Sequence, residues 1–159
     1  MSAALLAAIA GIIGLAFGRL WDGRSEASRW RRDQKTASYQ RLAEAFIVLY
    51  EEIRSVALAE PGTEATLDAV DRTRLDKTWD NALVAVWLHG STPVVTEACS
   101  MDLAVTELFY DAQARLFSIE DWSRARIPPA DAFERFIEIA REELGLSRAS
   151  IKLFPHTPS

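Results

Sequence analysis

The chain has 159 residues, 49% hydrophobic and 26% charged, with seven glycines, six prolines, one cysteine and a formal net charge of −5. That composition fits one folded helical domain and excludes disordered, collagen-like and low-complexity classes, and a lone Cys99 supports neither an internal disulfide nor a cysteine-based zinc cage. The charge is split, because the first 41 residues carry seven basic against three acidic side chains, net +4, whereas the remainder carries 11 against 20, net −9, so nucleic acid is not an expected partner.

Residues 1–18, MSAALLAAIAGIIGLAFG, carry no charged side chain. As a helix they reach about 27 Å against a hydrocarbon core of about 30 Å. Their Leu, Ile and Phe residues, with Leu20, favour insertion by about 2–5 kcal/mol before the cost of three glycines. We read residues 1–22 as a transmembrane anchor and residues 23–35 as a basic juxtamembrane stalk. Arg19, Trp21, Arg24, Arg29, Trp30, Arg31, Arg32 and Lys35 are the candidate membrane-interface residues, since cations meet anionic headgroups and tryptophan suits the interface. All the nearby basic residues follow the apolar run, which predicts a single-pass inner-membrane protein with its N-terminus outside and its body in the cytoplasm. Two rivals exist. A cleaved signal peptide would need a basic segment ahead of the apolar run, and none is present. A buried soluble helix is the other. Within the anchor Ala10, Gly14 and Gly18 recur every four residues, a stripe that lets two helices approach in lipid and is compatible with a homo-oligomer.

The stretch Ser25–Ala59 lacks Gly and Pro and places Tyr39, Leu42, Phe46, Leu49, Ile53 and Val56 at alternating spacings of three and four. This is a coiled-coil-like seam on a long helix, and traced backward it meets Lys35. Pro61 and Gly62 end it. A second helix is expected from about Thr66 to His89 through Leu75, Trp79, Ala82 and Val86, closed by Gly90 as a C-cap. Thr92 and Pro93 should start a third, with Val94, Ala98, Met101, Val105, Leu108 and Ala112 as its seam. Residues 118–127 show no period and read as a loop with one helical turn around Glu120–Arg124. After Pro128 and Pro129, Phe133, Phe136, Ile137, Ala140 and Leu144 define a fourth helix that Gly145 caps. The expected fold is therefore all-α: an N-terminal transmembrane helix continuing into a stalk and an up-down antiparallel bundle of about four helices. The bundle occupies residues 36–146 and a tail follows at 147–159.

Chemistry is sparse. His89 and His156 belong to no metal-ligand motif, and no phosphate-binding glycine loop or nucleophile elbow occurs, so neither a cofactor nor a metal is expected. The i, i+4 carboxylates Asp76/Asp80 and Glu134/Glu138 read as solvent-facing helix residues, and Cys99 as a small core or boundary residue. Residues 139–152 resemble a helix-turn-helix, but four residues separate Ala140 from Gly145 where the pattern has three, which rotates the first helix by about 100 degrees.

Trp30-Arg31-Arg32-Asp33-Gln34, Leu88-His89-Gly90-Ser91-Thr92-Pro93-Val94 and Ala140-Arg141-Glu142-Glu143-Leu144-Gly145 behind an apolar first helix resemble a loose group of small uncharacterised actinobacterial proteins. The resemblance implies a membrane anchor with a cytosolic helical body and brings no activity with it. The function expected is a membrane-anchored protein-interaction or scaffold module, not an enzyme, with membrane lipid and a protein as partners. The alternatives are a tethered enzyme whose carboxylates converge only in the fold and a DNA-binding regulator using the helix-turn-helix-like segment.

Overall fold

A computed structural model describes residues 3–59, 63, 68 and 77–147, with side-chain surroundings from Arg29 onward. The described residues form α1 (Ala3–Ala57), α2 (Thr78–His89), α3 (Thr92–Ala114), α4 (Ile119–Ala125) and α5 (Ile127–Glu143). They contain no strand. The chain divides into two compact units, Met1–Gln34 and Lys35–Ser159. Among the described residues no helix is long and apolar enough to cross a membrane. The expected anchor at residues 1–22 lies outside those whose side chains are described.

In the second unit the pairing of side chains fixes the topology. Tyr39 meets Phe136 edge-on at 6.1 Å and Phe46 stacks on Phe133 at 4.4 Å, so α1 and α5 run antiparallel. Trp79 donates to Asp102 at 2.7 Å across the short turn at residues 90–91, which makes α2 and α3 an antiparallel hairpin. Arg135 reaches Glu97 at 3.3 Å while Glu143 lies at Ser91, so α3 and α5 are also antiparallel. Four helices thus run up, down, up, down, with α4 turning the chain between α3 and α5.

The seams become the core. On α3, Val94, Ala98, Met101, Val105, Leu108 and Ala112 are all buried. On α1, Tyr39, Leu42, Phe46, Ile53 and Val56 are buried and Leu49 is half-buried against them. Each large side chain removed from water here stabilises the fold by about 1.5–3 kcal/mol. The Ala57 carbonyl at the end of α1 accepts the Phe117 amide at 2.9 Å, so the loop after α3 satisfies a helix-terminal acceptor.

Three boundaries differ from those expected, and one expected cap, Gly90, is present in another conformation. Helix α2 starts at Thr78, with Lys77 as its non-helical cap residue and Asp80 in the first turn where the helix dipole favours a carboxylate. Most of the expected earlier part, including Leu75, lies outside the described residues. Ser91, not Thr92, is the N-cap of α3, and Thr92 and Pro93 form its first turn. Residues 119–125 are a full helix rather than a loop with one turn, because Ser118 and Asp121 form a reciprocal capping box and Trp122 buries its indole. Gly90 caps α2 in an extended conformation, φ −77 and ψ 156, not a left-handed one. Its missing side chain is explained by crowding instead, since a Cβ would lie 2.8 Å from the Val86 carbonyl oxygen and 3.4 Å from the Tyr39 hydroxyl. At Gly145 the expected left-handed cap is present, with φ 70 and bonds from Gly145 N to Glu142 O and Leu146 N to Arg141 O.

Candidate functional site

Two features of the second unit stand out, a half-buried polar hub and an exposed apolar face. The hub is built on Glu143, which the last turn of α5 carries to the end of the bundle where α1 and the α2–α3 turn meet. Lys35 and Tyr39, one helical turn apart on α1, both reach it. The Lys35 ammonium forms a close ion pair with Oε1, and the Tyr39 hydroxyl donates to Oε2 at 2.5 Å. Ser91 donates from its hydroxyl at 3.0 Å and from its backbone N–H at 3.4 Å to the same Oε2. The carboxylate therefore sits at the N-terminus of α3, where the helix dipole favours negative charge. Its side chain is 15% exposed and that of Lys35 33%.

The electrostatics follow from this packing. Burial raises the pKa of Glu143, but the hydrogen bonds from Lys35, Tyr39 and Ser91 outweigh it and hold the carboxyl below its usual range. Burial, and then the bond and negative charge of Glu143, push the Tyr39 phenol well above its ordinary value, with the Ser91 backbone acting the other way. The hub holds a lysine ammonium, a glutamate carboxylate and a protonated tyrosine near neutral pH. They satisfy one another, and what the arrangement does is fasten three elements together.

The second feature is the outer face of the α2–α3 hairpin. From Thr78 to Ala114 there is no Lys or Arg; of its acidic residues Asp80 pairs with Lys77 and Glu97 with Arg135, which leaves Asp102, Glu107 and Asp111 without an ion pair among the described residues. Val84, Trp87 and Leu88 occupy one side of α2, with Trp87 51% and Leu88 74% exposed. On α3, Cys99, Leu103 and Tyr110 share one side, Leu103 being 61% and Tyr110 66% exposed. Glu107 and Asp111 stand beside Leu103 and Tyr110 by helical spacing and carry no hydrogen bond or ion pair among the described residues. Around the bundle from this face, between α1 and α2, runs an open groove of about 470 Å³ lined by Arg41, Ala45, Val48, Asn81, Ala82 and Ala85.

Of the expected interface residues, Arg29, Trp30, Arg31 and Arg32 are exposed. Lys35, expected with them at the membrane interface, is instead half-buried and engaged by Glu143. Arg19, Trp21 and Arg24, and the stripe Ala10, Gly14 and Gly18, lie outside the residues whose side chains are described. Cys99 is exposed rather than a core or boundary residue, because it falls on the outer side of α3, opposite its partners in the bundle. Among the described residues no group of three His, Cys, Asp or Glu is placed to hold a metal. The second half of the helix-turn-helix-like segment, residues 148–152, lies outside the description, and α5 stops at Glu143 before the turn.

Sequence reasoning did not single out Glu143, Ser91 or the hairpin face. The signal for the hub was the α1 seam meeting Lys35, since a lysine on a packing line needs an acidic partner. The signal for the face was the absence of positive charge over 37 consecutive residues, from Thr78 to Ala114. Comparison with known proteins finds no family model, no curated protein and no solved structure that matches this chain.

Proposed function

We propose that the protein is a membrane-anchored interaction module whose helical body, in the cytoplasm, binds another protein through the outer face of its α2–α3 hairpin. The observation that carries this is the exposed set Val84, Trp87, Leu88, Leu103 and Tyr110 on a bundle whose seams are otherwise buried. Clustered large apolar residues bordered by polar ones are what protein-binding surfaces present, and tryptophan and tyrosine are the usual anchors. The uncharged residues 1–18 and the basic residues that follow support the anchor and its orientation. The exposed collar Arg29–Arg32 supports attraction to anionic headgroups, about 1 kcal/mol per residue near the surface. The resemblance to small anchored actinobacterial proteins agrees with this architecture.

Alkaline-carbonate fractionation with intact-mass analysis tests the anchor. Full-length mass in the membrane pellet is expected; a mass lacking about 18 residues would mean export and reverse the topology. Site-specific photocrosslinking from position 84 tests the face. A defined crosslinked protein that disappears with Trp87→Glu and Leu88→Glu is expected, and a crosslinking pattern indifferent to both substitutions would reject it.

A further inference from the structure

Charge on the outer face of the α2–α3 hairpin has one sign and is not neutralised from within. Residues 78–114 hold Asp80, Glu97, Asp102, Glu107 and Asp111 and no Lys or Arg. Lys77 answers the first and Arg135 the second, both from outside the hairpin. The other three carboxylates bracket the exposed apolar residues of α3. At about 100 degrees per residue, Leu103 and Tyr110 point within about 20 degrees of one another and Cys99 within about 40 degrees of Leu103. Glu107 and Asp111 stand about 40 and 80 degrees beyond Leu103, toward the side on which Glu97 meets Arg135 of α5. Asp102 stands about 100 degrees the other way, where its Oδ1 accepts from Trp79 of α2 at 2.7 Å. An apolar strip thus runs between carboxylates on both flanks.

We infer that the partner segment is a cationic amphipathic helix, with Lys or Arg on either side of a narrow apolar stripe, which lies along α3 with α2 beside it. This rests on the reading of that face as the interaction surface.

The helical form follows from the shape of the surface. Two antiparallel helices side by side offer a furrow and no unpaired backbone, so an extended strand finds no edge to join, whereas a third helix sets its side chains between theirs. Val84, Trp87 and Leu88 on α2 and Cys99, Leu103 and Tyr110 on α3 recur at three, four or seven residues, the spacing at which one side of a helix meets another. The 12 residues of α2 rise about 18 Å, as does α3 from Cys99 to Asp111, which sets the partner helix at about three turns.

Charge selects among occupants. The acidic body of a second copy, an anionic lipid surface and a nucleic acid all bring negative charge to a negative rim. Ammonium or guanidinium groups at the edges of an apolar stripe neutralise that rim while their stems cover apolar surface. Salt screens this part of the attraction and leaves the apolar part.

Cys99 is the chain's single cysteine, is exposed on this face and reports its occupation. The experiment follows alkylation of Cys99 by a neutral maleimide in the full chain in non-ionic detergent. One probe is a synthetic amphipathic helix of leucine and lysine, and its counterpart carries glutamate at every lysine position. The lysine peptide should slow alkylation at least about fivefold and the glutamate peptide should not, and raising salt to about 0.5 M should weaken the protection. Glu107→Lys/Asp111→Lys, with unchanged helicity by circular dichroism, should reverse the preference between the peptides. In a second arm, the protein segment crosslinked from position 84 should carry Lys or Arg beside its apolar residues and be lost with the same double substitution. Protection by both peptides or by neither, or protection by the lysine peptide that survives the charge reversal, would overturn the cationic partner. So would a crosslink to a second copy or to lipid. A crosslinked protein indifferent to the charge reversal but lost with Trp87→Glu would overturn the cationic partner and leave the interaction reading standing, whereas the absence of any crosslink would remove both.

Discussion

Replacing Glu143 by Gln keeps the shape of the hub and removes the charge on which it converges. The glutamine keeps one carbonyl acceptor for three donor groups, and its NH2 points a further donor at the Lys35 ammonium or the Tyr39 hydroxyl. Breaking a fully buried ion pair from one side costs about 3–5 kcal/mol. Lys35 is one-third exposed and rehydrates in part, which brings the expected loss to about 2–3 kcal/mol. For a body of this size that lowers the midpoint of thermal unfolding by about 10 °C. Urea unfolding of the full chain in a non-ionic detergent, followed by tryptophan fluorescence, should show a lower midpoint with an unchanged slope. The pH dependence supplies the sign. Because the folded carboxyl titrates below its unfolded value of about 4.3, its contribution is present above that value and is lost as pH falls through the folded one. The gap between wild type and Glu143→Gln should therefore close on acidification below about pH 4. A loss under about 0.5 kcal/mol at pH 7, or a gap that persists unchanged at pH 3, would refute the hub as a stabilising charge.

Three other outcomes follow from the packing. Gly90→Ala should cost about 1–3 kcal/mol in the same assay, because the new Cβ meets the Val86 carbonyl at 2.8 Å and must push backbone, not a side chain. Ser118→Ala should cost about 1 kcal/mol by opening the capping box, and hydrogen exchange should rise first at the amides of α4; unchanged exchange there would contradict the assignment. Tyr39 and Tyr50 should resist ionisation above pH 10 in an absorbance titration, since burial raises both. Their stabilising contribution is complete below the unfolded value and declines as pH climbs beyond it, so Tyr39→Phe should flatten alkaline unfolding.

The helices that pack on one continuous line were readable without coordinates. All six expected residues of the α3 seam are buried, because a 3.6-residue period and a single apolar stripe leave one way to face a core. Residues 119–125 were legible in principle, since Ser118 and Asp121 stand at the spacing of a capping box, but one buried Trp122 gives no period to detect. The hub was not legible, because Glu143 lies 108 residues from Lys35, 104 from Tyr39 and 52 from Ser91, and only the fold makes them neighbours. Gly90 shows the same limit. A glycine after a helix suggests a left-handed cap by default, whereas here the approach of the Tyr39 hydroxyl from another helix makes the site small.

Within the bundle, α1 is held at two levels. At one end Lys35 and Tyr39 grip Glu143, and at the other the Ala57 carbonyl receives the Phe117 amide. Twenty-two residues separate Lys35 from Ala57, about 33 Å of helix. A piston-like slide of α1 by one helical turn, about 5.4 Å, would carry each grip out of hydrogen-bond range, and a rotation would swing Lys35 off its carboxylate. Small displacements along this helix are therefore resisted at both ends together, and a larger one must undo both. A rod held at both ends in this way moves by a turn only when Glu143 and the Phe117 amide let go together.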